Sequence, residues 1–179
     1  STTVAAHLCN LSTGEVLASA GMMNPQIRFG EDLMSRVSYV MMNPDGDAEM
    51  TKVIRDTINE LAEKVTVEAK RKPDEIVEVT FVCNPIMHHL LLGISPVELG
   101  GAPFALATDE SVRIHARDLK LNFHTNTRCY VLPCIAGHVG ADTAGMILSE
   151  APHKREAITL LVDIGTNAEI VLGNNERLL

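Results

Sequence analysis

The alternation of apolar and polar positions divides the chain into short, well-bounded elements. Val4 to Leu11 and Val16 to Met22 are β-prone runs on either side of Ser12-Thr13-Gly14. That spacing predicts a hairpin, with Gly14 supplying the positive φ of the turn. From about Phe29 to Met42 the apolar positions Leu33, Val37, Val40 and Met41 recur at helical spacing. Asn43-Pro44-Asp45-Gly46 signals a turn, with Asp47 placed to cap the next element. Met50, Ile54, Ile58, Leu61 and Val65 then form one stripe of a long amphipathic helix, closed by Lys70-Arg71-Lys72-Pro73. Val77 to Val82 predicts a strand, and Ile86 to Leu92 a short helix stopping at Gly93.

Residues 93–128 show little periodicity and several breakers, including Pro96, Gly100, Gly101 and Pro103. They read as an irregular excursion with one short helix near Val112 to Leu119. It is long for a passive connection, which suggests function or packing on a partner domain outside this chain. Further on come a strand at Cys129 to Leu132, a helix from Val139 to Ser149, and strands at Ile158 to Asp163 and Glu169 to Leu172. The order is β-β-α-α-β-α-β-α-β-β, a mixed α/β fold expected to place helices on both faces of a mixed sheet.

Length allows one sizeable core, or one subdomain with the edge of a second. Aromatics make up 3% of the chain and Trp is absent, so aliphatic residues and Met must build the core. No apolar run reaches the roughly 18 residues of a membrane span, and no signal peptide opens the chain. Cys9, Cys83, Cys129 and Cys134 form no paired-knuckle pattern, as expected of reduced thiols in a cytoplasmic protein. A net charge of -8 argues against a nucleic acid polymer. It leaves room for a nucleotide, whose phosphates backbone amides and a cation can hold. The chain opens as Ser1-Thr2-Thr3 directly into a strand and stops at Leu178-Leu179 as another begins. Both ends therefore read as the boundaries of a piece of a longer protein.

The chemistry concentrates in the run from Leu160 to Gly173. An apolar strand delivers Asp163 to its end, Gly165 permits a tight reversal, and a second apolar strand departs. The amides of Gly165, Thr166 and Asn167 are expected to face outward as a phosphate nest. Asp163, repelled by phosphate, is the residue to hold Mg²⁺ or its waters. The plainer alternative is a β-hairpin with a polar turn.

Asp142 is the second acidic candidate. It could orient the attacking water or a hydrated Mg²⁺, or simply complement a helix dipole. His88 and His89 are adjacent on a predicted helix and point about 100° apart, which favours core hydrogen bonds over a shared metal. Cys129 and Cys134 lack the further cysteines a cluster needs. Asp32 and Arg36 at i, i+4 suggest a surface pair. Met22-Met23 and Met41-Met42 read as adaptable core filler.

Several blocks carry a family resemblance. The opening Ser1-Thr2-Thr3, strand and Gly14 hairpin look like the second half of a motif whose Asp-x-Gly lies upstream, and Asp163 to Gly173 looks like its counterpart. Such paired loops, with the small-residue helix Gly137-His138-Val139-Gly140-Ala141-Asp142-Thr143-Ala144-Gly145 between them, resemble the actin-like, sugar-kinase and heat-shock-chaperone ATPase superfamily. Within it, five blocks are similar to the ATP-dependent reductive activators of corrinoid proteins. They are Asn24 to Asp32 with Ser35-Arg36, Met87-His88-His89-Leu90, Ala102-Pro103-Phe104, Leu132 to Asp142, and Asp163 to Gly173 with Asn174-Asn175-Glu176-Arg177-Leu178-Leu179 behind it.

This resemblance implies a ribonuclease H-like, actin-like fold. Residues 1–157 would form a first ATPase subdomain, and residues 158–179 would start a second that carries the second phosphate loop. It implies ATP and Mg²⁺, with Ser1, Thr2, Thr3, Gly165, Thr166 and Asn167 on phosphate, Asp163 on the metal, and Asp163 and Asp142 in catalysis. It also implies an iron–sulfur cluster in a domain outside this chain. Gln26, Arg28 and Asp32 would line a partner or nucleotide surface. The partners implied are a corrinoid protein of a methyltransferase system and, as a further candidate, a second copy in a homodimer. Co(II) would be returned to Co(I), while the chain alone would bind nucleotide weakly. A small-molecule kinase and a non-catalytic interaction domain are the alternatives.

Overall fold

The computed structural model describes residues 2–165 and 167–179. Its first hairpin pairs β1 (Thr3–Cys9) antiparallel with β2 (Val16–Met23), as the alternation predicts, and Gly14 turns it at φ +76°. A 3₁₀ turn over Pro25–Phe29 follows, so α1 spans only Leu33–Met42. The chain then enters α2 (Gly46–Glu68), the 23-residue helix on which much of the molecule is built. Its stripe is buried as expected at Met50, Ile54, Leu61 and Val65. Asp45, at φ +63°, and not Asp47, occupies its N-cap position.

Helix α2 lies against β1–β2 on one side and against α1 and α3 (Pro85–Leu92) on the other. This sandwich encloses a first core of Phe29, Val37, Met50, Ile54, Ile86, Met87 and Leu90. A second core of Leu91, Ala116, Leu119, Leu121, Cys129 and Val131 is continuous with it, because Ile58 and Cys83 pack against both. The second core lies on a three-stranded sheet. Strand β3 (Glu78–Phe81) runs parallel to β5 (Arg128–Val131), and β4 (Val112–His115) is antiparallel on its other side. Helix α4 (Ala141–Glu150) and a last hairpin, β6 (Thr159–Ile164) with β7 (Ala168–Gly173), complete the chain.

Two expectations are corrected here. The strands of the described residues fall into three small sheets, not one. The segment expected to hold a short helix near Val112 to Leu119 is β4 followed by a 3₁₀ turn over Ala116–Leu119. Valine and isoleucine on a half-buried edge, paired with β5, override the weak local signal. Nor is the excursion irregular filler. Leu99, Ala116, Leu119 and Leu121 are buried, and the loop around Phe104 lies on Gly137 so closely that a methyl group there would strike the Phe104 carbonyl oxygen.

The polar block after β2 is the most deeply placed polar group in the molecule. Asn24, Gln26 and Arg36 are fully buried. The Arg36 guanidinium donates to the Gly30 carbonyl oxygen at 2.9 Å, to Gln26 Oε1 at 3.1 Å and to Met87 Sδ at 3.0 Å. Gln26 Nε2 donates onward to the Met50 carbonyl oxygen at 2.8 Å. Asp32 caps α1, its carboxylate accepting the Ser35 amide at 2.7 Å. Asp32 and Arg36 are thus a helix cap and a core cation, not the expected surface pair. The methionine pairs diverge as well, since Met23, Met41 and Met42 are exposed.

Candidate functional site

The β6–β7 hairpin carries the predicted phosphate loop. Its register sets Asp163 opposite Glu169 and Ile164 opposite Ala168, so the reversal lies just past Ile164. The Gly165 amide donates to the Asn167 carbonyl oxygen at 2.8 Å. That amide points into the turn, contrary to the expectation that it faces outward. A reversal this tight closes its own hydrogen bond, because a buried or strained amide without a partner is costly. Asp163 and Asn167 are exposed. Thr166, like Ser1, lies outside the described residues.

Glu169 is the residue the sequence reading missed. Burial pushes its carboxyl above the usual carboxylate range, and the negative charges of Asp142 and Asp163 push it further. The signal was present in the run itself. In an antiparallel hairpin with a three-residue reversal, the residue six positions after Asp163 must stand across from it.

Asp142 reaches this neighbourhood from the first turn of α4, where its Oδ1 accepts the Thr143 amide at 3.0 Å. Local contacts place that helix end. The Ala141 amide donates to the Cys83 carbonyl oxygen at 2.9 Å, tying α4 to the chain just past β3. A Cβ on Gly140 would fall 2.6 Å from Asn84 Cα and 2.8 Å from Pro85 Cδ, so only glycine permits the approach. Asn84 is itself the N-cap of α3, accepting the Met87 amide at 3.1 Å. Two helix N-termini, each the positive end of a dipole, therefore start side by side, with Asp142 in the first turn of α4.

Thr2 and Thr3 are exposed, and β1 belongs to a different sheet from β6–β7. The Thr2 carbonyl oxygen accepts the Asn24 amide at 2.8 Å, extending the first hairpin toward the buried polar block. Of the proposed surface residues, Gln26 is buried and Asp32 is a cap. Arg28 is exposed, 3.5 Å from Glu49 and stacked over the Phe29 ring.

Among the described residues no three His, Cys, Asp or Glu side chains come together to hold a metal ion. The carboxylates of Asp142, Asp163 and Glu169 share a field without forming a coordination shell. A magnesium ion there could take one or two of them, with water and phosphate oxygens supplying the rest.

The histidines are core residues. His89 is fully buried, with Nδ1 2.9 Å from the Pro85 carbonyl oxygen and Nε2 accepting the Ala107 amide at 3.1 Å. His88 is fully buried, and among the described residues neither ring nitrogen has a hydrogen-bond partner. Burial, aided by neighbouring His89, lowers its pKa to about 4. Burial raises the Cys83 thiol to about 12 and Cys129 to about 11, so both stay protonated and are poor ligands. The chain also has a shallow cleft of about 520 Å³ on the outer side of α2, lined by Lys52, Arg55, Gly93 and Lys120 among others. None of the predicted site residues lines it.

Comparison with known proteins gives a consistent picture. The family described as RACo middle region matches residues 1–155. The corrinoid activation enzyme RamQ of Eubacterium limosum is 30% identical over 176 residues, which cover 98% of this chain and 29% of that protein. A solved structure of a reductive activator for corrinoid, iron–sulfur protein superposes with a TM-score of 0.96 at 35% identity, over 99% of this chain and 28% of that one. The chain thus spans less than a third of the length of either relative.

Proposed function

The chain belongs to the RACo middle-region family, and we propose that it serves the ATP-dependent reductive activation of a corrinoid protein as one part of a larger activator. The observation that carries this reading is the end-to-end match, at 30–35% identity, with two proteins named for corrinoid activation. Corrinoid methyltransferases stall when Co(I) is oxidised to Co(II). In this reading the electron that restores Co(I) comes from an iron–sulfur domain outside this chain.

Nucleotide would favour a closed state of the activator over an open one. A difference of a few kcal/mol between the two is enough to shift the population. Within the chain, Asp163 is the residue to hold a hydrated Mg²⁺ beside the phosphates, and the turn that carries the exposed Gly165 and Asn167 is where phosphate would lie. Asp142 stands at the positive end of α4 and would orient water. Glu169, opposite Asp163, sets the local charge. An actin-like ATPase architecture for the whole activator belongs to the same proposal. A recognition role without turnover is the second reading, favoured by the Gly165 amide being already bonded within its turn.

A segment exchange tests the proposal. The aligned residues of this chain, 98% of it, replace their counterparts in RamQ, and ATP-dependent formation of Co(I) on a corrinoid protein is followed by absorbance. The expected outcome is retained activation that Asp163→Asn abolishes. Activation indifferent to Asp163→Asn rejects the nucleotide assignment, and a folded exchange protein that no longer binds corrinoid protein rejects the family function. The chain alone is expected to bind Mg·ATP weakly by titration calorimetry.

A further inference from the structure

The shallow cleft beside α2 holds a guanidinium that the fold uses on one edge only. Arg55 is half-buried and lines the cleft with Lys52, Gly93 and Lys120. Its Nε and Nη2 both donate to the Leu91 carbonyl oxygen, at 3.0 and 2.9 Å, closing the C-terminal end of α3. That contact fixes the plane of the group. Gly93 abuts it, since a Cβ there would lie 3.3 Å from Nη2. A guanidinium carries five N–H donors, so two are spent on Leu91 and three are not. Among the described residues nothing accepts from those three. Two of them lie parallel on the far edge, a fork that matches two oxygens of one anion.

The charges around the cleft leave a positive surplus. Lys52 is 2.5 Å from Asp56, so that pair neutralises itself. Asp47 accepts the Ala48 amide through Oδ1 at 2.8 Å, at the start of α2. Among the described residues no carboxylate lies within ion-pair distance of Arg55 or Lys120. The Lys120 backbone is tied to α2, its carbonyl oxygen accepting from Asn59 Nδ2 at 3.4 Å. Two such cations on one concave wall run against the net charge of -8. We propose that this cleft binds a phosphate dianion, with the far edge of Arg55 on two oxygens and the Lys120 ammonium on a third. A carboxylate would occupy the fork alone, whereas a tetrahedral dianion uses both cations. The volume of about 520 Å³ is that of a small-ligand site, with room for a small phosphate ester as well as the bare ion. The β6–β7 turn contributes nothing to the lining, so the site does not depend on the nucleotide proposed there.

Inorganic phosphate is titrated into the isotope-labelled 179-residue chain at constant ionic strength, and amide NMR reads binding residue by residue. The expected result is saturable shifts at Thr51, Gly93 and Lys120, with a Kd of about 1 mM. Arg55→Lys keeps the charge and a donor for Leu91 but loses the fork, and should weaken binding about tenfold. Lys120→Gln changes an exposed side chain and should weaken binding several-fold, which keeps the test decisive if the Arg55 variant unfolds. A nucleoside monophosphate in place of phosphate separates two sources of the same group. Equal or weaker affinity assigns the free ion and tighter binding a phosphate ester, and both support the site. The absence of saturable shifts in the cleft overturns the proposal, as does acetate matching phosphate or binding untouched by Lys120→Gln. Shifts confined to Gly165 and Asn167 also overturn it, and place the anion at the hairpin turn.

Discussion

Residues 24–36 and residues 158–173 are treated by the fold in opposite ways. The first block is polar, yet Asn24, Gln26 and Arg36 are sealed in the core. The second is aliphatic, yet Leu160, Val162, Ile164 and Ile170 stand in the open. Hydropathy alone would exchange their places. A polar group can be buried when its donors find acceptors, and Gly30, Gln26 and Met87 supply them to Nε and Nη1 of Arg36. An apolar group can be exposed when its cover lies on another surface. The difference makes the first block a lock within the core and leaves the second an open apolar face.

Removing the lock should have the largest effect. Arg36→Ala leaves Gln26 Oε1 and the Gly30 carbonyl oxygen without their charged donor, and is expected to cost about 3–4 kcal/mol in urea unfolding. Arg36→Met, which fills the space but donates nothing, should recover only part of that.

Acid should act next. His88 titrates near 4 in the folded chain and near 6.5 unfolded, so between those values the unfolded state binds more protons. Stability is therefore full above about pH 6.5 and falls as pH drops toward 4, by up to about 3 kcal/mol. Burial also lowers His89, which adds to the loss in the same direction. His88→Leu should flatten the pH profile of the urea midpoint.

A smaller loss is expected from Gly137→Ala, about 1–3 kcal/mol, because the added methyl forces the Phe104 loop away. Loosening should show as faster hydrogen exchange in residues 101–107. The smallest change is expected on the exposed face of the last hairpin. Val162→Lys with Ile170→Lys alters two exposed side chains and should change the unfolding free energy by less than about 0.5 kcal/mol. A large loss there would mean the hairpin is packed in the isolated chain, erasing the contrast with residues 24–36.

Sequence periodicity located most of this architecture. The stripe on α2 and the β1–β2 hairpin were legible because each repeats one signal over several turns or rungs. β4 was not, since four residues ending at a 3₁₀ turn carry too little period to outweigh neighbouring breakers. Arg36 was misread for a different reason. Its spacing to Asp32 is that of a surface pair, and only the long-range contacts to Gln26 and Met87 reveal a core position. At the candidate site, Asp163 was legible from its place at a strand end, while Glu169 required the register across the turn. The position of Asp142 was legible along the helix, but its approach to Glu169 depends on Gly140 meeting Asn84, which no local pattern encodes.

His89 holds one proton arrangement and no other. Its Nδ1 must carry hydrogen to donate to the Pro85 carbonyl oxygen, which leaves Nε2 a lone pair for the Ala107 amide. A second proton would turn that lone pair into a donor facing a donor. The strap from Gly101 to Ala107 is therefore fastened to α3 by an imidazole that works only while neutral, and one protonation event would unclasp it.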